Sequence, residues 1–296
     1  MSLNALFLGA PNVVSAGVAR GWQLAGNRIA AVWYPERTNR TREFAQDRAL
    51  AKTAPGVSLH GLAEQGGVAI RAVPPLTTWP EATAEAALLG ADVVISVLFL
   101  DRIPKALLNA YADRVVNLHP SWLPAYRGRW PTFNMLWDRT IDAYGGMTLH
   151  VVTPDFDTGD VLGQAHVPFP ADRNLSAYYM HLVKAGAGLL TGLLPRYLSG
   201  ALDPSPQPRG DARQGNRRPS EARLASSHSA EEMQWLCSVI PQITPLRIEG
   251  APTMVGSSLP PGIGEKRCGF HERPADLRRP HRGQEMPPWP VHVQSA

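Results

Sequence analysis

Cysteine is scarce in this sequence, with only Cys237 and Cys268 among 296 residues. Two cysteines cannot build a disulfide framework, and no cysteine–histidine cluster has zinc spacing, so we expect no metal. No apolar run approaches the ~20 residues that a helix needs to cross a bilayer. The N-terminal segment also lacks the basic stretch and long apolar core of a secretory signal. These absences predict a protein of the reducing cytoplasm, with no membrane partner.

An excess of one charge is also missing. The chain has 29 basic and 25 acidic residues, which leaves a formal net charge of +4. That balance permits nucleic-acid binding but does not indicate it, and we expect no DNA partner. Apolar residues make up 44% of the chain and charged residues 18%, a composition that supports a sizeable core and excludes wholesale disorder.

Proline is plentiful, and its distribution divides the chain. Fourteen of the 28 prolines lie in the last 93 residues. We therefore predict a large domain at 1–203, a linker at 204–219 and a C-terminal domain at 220–296. Because proline, glycine and arginine dominate the linker, we expect it to be extended and mobile. Residues 256–296 lack the alternating strands of a full barrel, which predicts a C-terminal domain that is shortened or partly disordered.

The first 203 residues alternate between apolar runs and helical patterns. The apolar runs predict strands at 4–10, 28–34, 68–73, 92–98, 114–119 and 146–152. The helical patterns lie at 14–24, 43–51, 81–89, 105–111, 132–139 and 176–198. This alternation predicts an α/β fold, a doubly wound and mostly parallel sheet with helices on both faces. Such folds place their chemistry beyond the carboxyl ends of the strands.

A glycine-containing turn, GAPNVVSAG at 9–17, follows the first predicted strand. It lacks the third glycine of a dinucleotide-binding loop at the proper spacing, and Pro11 occupies a turn position. We therefore interpret it as a tight connection between strand and helix.

Asn117 and His119 end the fifth predicted strand. Residues two apart on a strand project from the same face, so their side chains are expected to lie together. An isolated Asn-x-His pair is more typical of a strand end than of a catalytic site. This pair, however, opens the longer segment NLHPSWLPAYRGR, and Asp157 follows 38 residues after His119, within DFDTGD.

The segments NLHPSWLPAYRG and FDTGD together resemble the folate-dependent formyltransferase family, in order and spacing over about residues 4–200. That family includes enzymes that formylate methionyl-tRNA, glycinamide ribonucleotide and amino-sugar nucleotides. The resemblance implies a Rossmann-like formyltransferase fold and 10-formyltetrahydrofolate as the formyl donor. It also implies that Asn117, His119 and Asp157 are the catalytic residues.

The same resemblance assigns two segments to the donor. Leu98, Phe99, Leu100 and Ile103 match the loop that lines the pterin pocket, and Asp155 and Phe156 match the segment whose backbone bonds the pterin's polar edge. A turn beside the predicted catalytic residues contains Arg127, Gly128 and Arg129. These three residues are expected to contact an anionic acceptor.

The residue types suit the chemistry of formyl transfer. The acceptor amine attacks a formamide carbon, a tetrahedral oxyanion forms, and the folate nitrogen leaves with a proton. The Asn117 amide can donate to the oxyanion, and His119 can donate to it or move the proton. Asp157 can fix the tautomer of the imidazole and raise its pKa. Direct transfer requires neither a metal nor a covalent nucleophile.

The acceptor amine has two leading candidates. Residues 219–255 resemble the join and opening strands of the C-terminal domain of methionyl-tRNA formyltransferases, which favours initiator methionyl-tRNA. The form YRGRWP at 126–131 resembles the amino-sugar branch, so a small amine such as an amino-sugar nucleotide is the alternative. A formyltetrahydrofolate hydrolase, with water as acceptor, is the second alternative. A folate-binding module without catalysis is a further one.

Overall fold

The computed structural model describes residues 2–207 and Gly215. The strands in this part are β1 (Asn4–Gly9), β2 (Arg28–Pro35), β3 (Ala69–Val73), β4 (Val93–Val97), β5 (Val115–His119), β6 (Gly146–Val151) and β7 (Val161–His166). The helices are α1 (Val13–Leu24), α2 (Arg42–Thr53), α3 (Leu59–Gln65), α4 (Ala82–Leu88), α5 (Lys105–Tyr111), α6 (Pro131–Trp137), α7 (Ile141–Tyr144) and α8 (Leu175–Leu198). The predicted C-terminal domain at 220–296 lies outside the described residues.

The seven strands form one sheet in the order β3-β2-β1-β4-β5-β6-β7. The first five strands in this order, β3, β2, β1, β4 and β5, pair in parallel with their neighbours. Strand β6 pairs antiparallel with both β5 and β7. The predicted doubly wound and mostly parallel fold is thereby confirmed. The register sets Asn117 of β5 beside Ser96 of β4 on one side and beside His150 of β6 on the other.

The core lies on both faces of the central strands. Every residue of β4 is buried, since helices cover both sides of the sheet. On one face Leu6 and Val94 pack with Leu107 and Tyr111 of α5. On the other face α1 packs against α8, the longest helix. A Cβ at Gly21 would lie 2.6 Å from the Cβ of Ala187, so glycine permits this close approach.

The turn after β1 is a capped helix start. The side chain of Asn12 accepts hydrogen bonds from the backbone N–H groups of Val14 and Ser15, at 3.1 and 3.0 Å. Two of the free donors at the N-terminus of α1 are thereby satisfied. This geometry agrees with the interpretation of the segment as a tight connection.

Helix α3 and strand β7 were not expected from the sequence. The first five residues of α3 are all buried, so it has no polar face and no helical periodicity to reveal it. Strand β7, VLGQAH, contains a glycine and polar residues, and its pairing with β6 defines it. At Gly163 a Cβ would meet the terminal methyl of Leu193, so a larger residue would displace that side chain. None of the helices in the described part of the chain is both long and apolar enough to span a membrane.

Candidate active site

The carboxyl end of β5 brings Asn117, His119 and Asp157 together. The Asn117 amide nitrogen donates to Asp157 Oδ1 at 3.3 Å, and His119 Nδ1 lies 3.4 Å from the same oxygen. Asp157 comes from the loop between β6 and β7, so the group unites two distant parts of the chain. The shared face that was predicted for Asn117 and His119 therefore presents both side chains to one carboxylate.

The Asp157 carboxylate is held from several directions. Its Oδ2 accepts a hydrogen bond of 2.8 Å from the backbone N–H of Gly128, and only 9% of the side chain is exposed. Burial alone would raise the pKa of Asp157, but the charge and hydrogen bond of His119 outweigh it. The pKa of this carboxyl is held well below its usual range, so Asp157 is an anion at neutral pH.

His119 is a buried imidazole with a partner for each ring nitrogen. Its Nε2 lies 2.9 Å from the carbonyl oxygen of Tyr126, which only accepts, so Nε2 carries a hydrogen. Its Nδ1 faces the Asp157 anion. Burial lowers the pKa of His119, but the charge and hydrogen bond of Asp157 and the Tyr126 carbonyl raise it, and the net pKa is raised. The arrangement favours an imidazolium, with both ring nitrogens donating.

His150 joins this group, although no motif in the sequence marks it. Its Nδ1 lies 2.8 Å from the carbonyl oxygen of Val151 and therefore donates. Its Nε2 lies 3.1 Å from the Asn117 amide nitrogen and 3.7 Å from Asp157 Oδ1. The sequence could have indicated His150 only by its position in a predicted strand. The antiparallel register of β5 and β6 is what sets it beside Asn117.

Asn117 has both hydrogens of its amide nitrogen engaged. One points to His150 Nε2 at 3.1 Å and the other to Asp157 Oδ1 at 3.3 Å. Donation to a substrate oxygen therefore requires that one of these bonds be exchanged. The bond to Asp157 is the longer of the two, and hydrogen bonds weaken with length.

A small cavity adjoins these side chains. It has a volume of about 50 Å³ and lies between the loop after β4 and the loop after β6. Its walls include Ser96, Phe99, Asp101, Arg102, Ile103, Asn117, His150, Asp155, Phe156 and Asp157. Four of the residues predicted to hold the donor are thus in the wall: Phe99, Ile103, Asp155 and Phe156. His119 contacts this wall through Asp157.

The other two predicted donor residues, Leu98 and Leu100, belong to the same loop but have different surroundings. Leu98 adopts a left-handed conformation, with φ of 55°, and turns the chain at the end of β4. The carbonyl oxygen of Leu100 accepts a hydrogen bond of 3.4 Å from the Arg129 guanidinium. The cavity is lined by their neighbours Phe99 and Ile103.

Two arginines hold the loop after β4. The guanidinium of Arg102 lies 5.1 Å from the centre of the Phe156 ring and so joins the two loops across the cavity. Arg37, in the basic segment after β2, forms an ion pair of 2.7 Å with Asp101. A pocket for a drug-sized ligand usually measures ~300–1,000 Å³. At about 50 Å³ the cavity is smaller than this.

The predicted acceptor contacts, Arg127, Gly128 and Arg129, have three different environments. The Gly128 N–H serves Asp157, and its φ of 110° favours glycine. The Arg127 guanidinium donates to Gln207 Oε1, at 2.5 and 3.2 Å. Arg129 is the exposed member of the three.

The arrangement supplies acid–base and hydrogen-bonding groups rather than an ion site. Among residues 2–207 and Gly215, no group of three or more His, Cys, Asp or Glu side chains is placed to hold a metal. A buried imidazolium beside a carboxylate can donate a proton or stabilise a developing negative charge.

Comparison with known proteins points to one family. Residues 55–194 match the family model for formyl transferases. Methionyl-tRNA formyltransferase from Streptococcus pneumoniae serotype 19F (strain G54) is 29% identical over 205 residues, which cover 68% of this chain and 61% of that protein. The match therefore spans less than two thirds of the length of this curated relative.

Solved structures share the fold. Glycinamide ribonucleotide transformylase 1 from Symbiobacterium toebii has a TM-score of 0.52 and 18% identity, over 67% of this chain and 89% of that one. Phosphoribosylglycinamide formyltransferase from Bacillus halodurans has a TM-score of 0.50 and 20% identity, over 67% of this chain and 96% of that one. At such identities the likeness is one of fold.

Proposed function

We propose that this chain, which carries the formyl transferase domain at residues 55–194, transfers a formyl group from 10-formyltetrahydrofolate to a primary amine. One observation carries the proposal, namely the largely buried Asp157 anion that contacts both His119 and Asn117 beside a cavity. A protonated imidazole and a side-chain amide can both donate hydrogen bonds to the oxyanion that forms in formyl transfer.

The residues around the cavity fit the folate donor in kind. Phe99 and Ile103 offer apolar walls for the pterin, and Asp155 and Phe156 bring backbone polar groups to the same wall. The Asp155 carbonyl accepts from the hydroxyls of Thr153 and Thr158, both at 3.2 Å, so one of these bonds must be exchanged if it is to meet the pterin's polar edge. The donor supplies the formyl group and the leaving nitrogen. Because the cavity is small, we propose that Arg102 and Phe156 part when the donor enters.

The proposed mechanism uses His119 as the cationic donor. The acceptor nitrogen bonds to the formyl carbon while the carbonyl electron pair moves onto oxygen. The oxygen's electron pair then re-forms the carbonyl, the bond from this carbon to the folate nitrogen breaks, and the folate nitrogen takes up the proton that the acceptor nitrogen releases. We propose that the Nε2–H of His119 exchanges its hydrogen bond with the Tyr126 carbonyl for one with the oxyanion. Asp157 keeps the ring protonated during this step. A single donor of this kind is typically worth ~3–4 kcal/mol of barrier.

For the acceptor we propose initiator methionyl-tRNA. The name of the relative at 29% identity supports this choice, as does the sequence of residues 219–255, which lie outside the described residues. The exposed Arg129 supports the alternative, a small anionic amine such as an amino-sugar nucleotide.

An acceptor screen tests the proposal. The full chain is mixed with 10-formyltetrahydrofolate and with methionyl-tRNA, uncharged tRNA, other aminoacyl-tRNAs or amino-sugar nucleotides, and tetrahydrofolate formation is followed. We expect turnover with methionyl-tRNA and a formylated methionine in the product. The Asn117→Ala and His119→Ala variants serve as inactive controls. Equal donor consumption without any amine would instead identify a hydrolase, and donor binding without turnover would identify a binding module.

A further inference from the structure

Gln207 joins the loop that carries Asp157 to the loop that carries Arg127. It lies nine residues after the end of α8, in the segment that the sequence predicts to be a linker. Its side-chain Nε2 donates to the carbonyl oxygens of Asp157 and Gly159, both at 2.8 Å. Its Oε1 accepts from Arg127 Nη2 and Nε, at 2.5 and 3.2 Å.

The chemistry of these partners requires an amide at position 207. Backbone carbonyls only accept hydrogen bonds and a guanidinium only donates them, so the side chain must be a donor at one end and an acceptor at the other. A carboxylate of the same length would keep Arg127 but would set an oxygen against the carbonyls of Asp157 and Gly159. The orientation of the Gln207 amide follows from its partners.

The chain around Gln207 is fastened on both sides of the site. Ser205 pairs with Val161 of β7 through two backbone hydrogen bonds of 2.7 and 2.9 Å. Gly215 donates to the carbonyl oxygen of Arg127 at 2.6 Å and accepts from Trp130 N–H at 2.7 Å. The described residues beyond α8 thus contact the loop before β7 and the loop before α6.

The contacts of Gln207 complement those of the Asp157 side chain. The carboxylate already ties the two loops together through the Gly128 N–H, and Gln207 adds a second tie through the Asp157 carbonyl and Arg127. We infer that Gln207 is a positioning residue, which sets the Asp157 carboxylate at its distance from His119 and holds the Arg127 guanidinium in place. The expected effect of Gln207 on catalysis rests on the proposed function. Its positioning of Asp157 and Arg127 does not.

The contact of Gln207 with Asp157 favours the protonated form of His119. Asp157 and Arg127 are the charged groups that act on this ring, and His150 lies beside the same carboxylate, with its Nε2 3.7 Å from Asp157 Oδ1. The anion of Asp157 raises the pKa of His119, whereas the cation of Arg127 lowers it, and Asp157 has the larger effect. Without Gln207 the Asp157 carboxylate is held less firmly beside the ring, so its stabilising effect weakens. Loss of Gln207 should move the pKa of His119 downward.

The test measures the His119 ring directly, without substrate. Gln207→Met keeps the size of the side chain, and Gln207→Glu keeps the contact with Arg127 while it loses the carbonyl contacts. The ring titration is followed by NMR on histidine-labelled full-length chain, and the His119→Ala variant assigns the signal. We expect a lower pKa for His119 in Gln207→Met. In Gln207→Glu the added anion itself raises the pKa of His119, so the fall should be smaller or reversed. An unchanged or raised pKa in folded Gln207→Met would overturn the inference.

Gln164→Ala is the matched control. Gln164 also donates its amide to a backbone carbonyl, that of Leu123 at 2.9 Å, and its second bond goes to the Thr148 hydroxyl at 3.0 Å. Neither bond involves Asp157 or Arg127, so we expect this variant to leave the His119 titration unchanged. An equal shift in Gln164→Ala would indicate general loosening of the loops and would contradict a specific role for Gln207.

The kinetic arm uses the acceptor found in the screen. We expect Gln207→Met to lower kcat by about tenfold or more, with little change in KM for the donor, because the defect lies in the His119–Asp157 pair. The alkaline limb of the kcat profile should move to lower pH. A pure rise in KM would contradict the inference. If no acceptor supports turnover, the proposed function fails, and the NMR titration still decides the geometric role.

Discussion

The Asp157–His119 pair and a second buried pair, Asp47–His60, differ in their surroundings. In the second pair His60 Nδ1 lies 2.6 Å from Asp47 Oδ2, and both side chains are at most 2% exposed. The Asp47 carboxylate also accepts from the backbone N–H groups of Leu59 and His60, at 2.8 and 3.1 Å. It therefore caps the start of α3 from within a local stretch of chain.

The partners of the two carboxylates explain the contrast. Asp47 is saturated by short bonds from one segment, and the rings of Tyr34 and Phe44 pack against His60. Asp157 Oδ1 is contacted instead by side chains of β5 and β6, with Asn117, His119 and His150 at 3.3, 3.4 and 3.7 Å. Asp157 also lines a cavity. A buried Asp–His pair is thus not by itself a sign of chemistry. Longer, exchangeable contacts beside a cavity distinguish the candidate site.

The largest expected effect separates the two histidines by activity. His119→Ala should lower kcat by ~100- to 1,000-fold, because the oxyanion loses a charged hydrogen-bond donor. Asn117→Ala should lower it by ~100-fold or more. His60→Ala should leave kcat unchanged, since its bonds serve α3. Formyl transfer by each purified variant measures this, with circular dichroism to verify folding. Near-normal activity of His119→Ala would remove His119 from the mechanism.

The next effect concerns the cavity, which the Asp157 pair adjoins and the Asp47 pair does not. Ile103→Glu should weaken folate binding by about 100-fold or more, because it places a charge against the apolar wall. Leu88→Glu is the control, since Leu88 is 87% exposed on α4. Titration calorimetry with tetrahydrofolate measures both. Equal affinity of the two variants would mean that the folate binds elsewhere.

A smaller effect is expected at the Asp47–His60 pair, and it concerns stability and not activity. Asp47→Asn should lower the free energy of unfolding by about 1–3 kcal/mol, because a buried charged hydrogen-bonding partner is lost. Its kcat should match that of the unchanged chain. Urea unfolding and the transfer assay together check this. A kcat that falls with stability intact would assign the Asp47 pair a part in the reaction.

The smallest effect is the pH dependence of stability. The pKa of Asp47 and of Asp157 is lowered from the usual 3.8, so their contributions are complete above that pH and decline as the pH falls. The pKa of His119 is raised from 6.5, so its contribution is complete below that pH and is lost as the pH rises through the raised value. Urea unfolding across pH should show His119→Ala with a weaker alkaline decline and Asp47→Asn with a weaker acid decline. Parallel curves for all three chains would contradict this assignment.

The sequence predicted those parts of the fold that depend on local pattern. The apolar runs of β1, β2 and β4 identify buried strands, and the predicted bounds differ from the observed ones by at most one residue at either end. The two-residue spacing of Asn117 and His119 predicts a shared face, and in the structure both side chains lie beside the Asp157 carboxylate. These inferences succeed because period and burial are properties of a short segment.

The remainder depends on contacts between distant segments. His150 enters the site through the register of β5 with β6, and β7 is a strand because β6 pairs with it. Gln207 contacts Asp157 from fifty residues away, within a segment whose composition predicts only an extended linker. No periodicity in the sequence encodes such encounters, so they emerge only in three dimensions.

The attachment of Gln207 and Gly215 changes where the chain can be divided. A polypeptide that stops at residue 203, the predicted end of the first domain, loses a glutamine that holds both site loops. Its inactivity would therefore say nothing about the acceptor. A cut after residue 219 keeps Gln207 and Gly215 and removes only the predicted C-terminal domain, so it tests that region alone. By the same reasoning, a chimaera that exchanges C-terminal regions between relatives should join them beyond Gly215, because Gln207 and Gly215 belong with the chemistry they support.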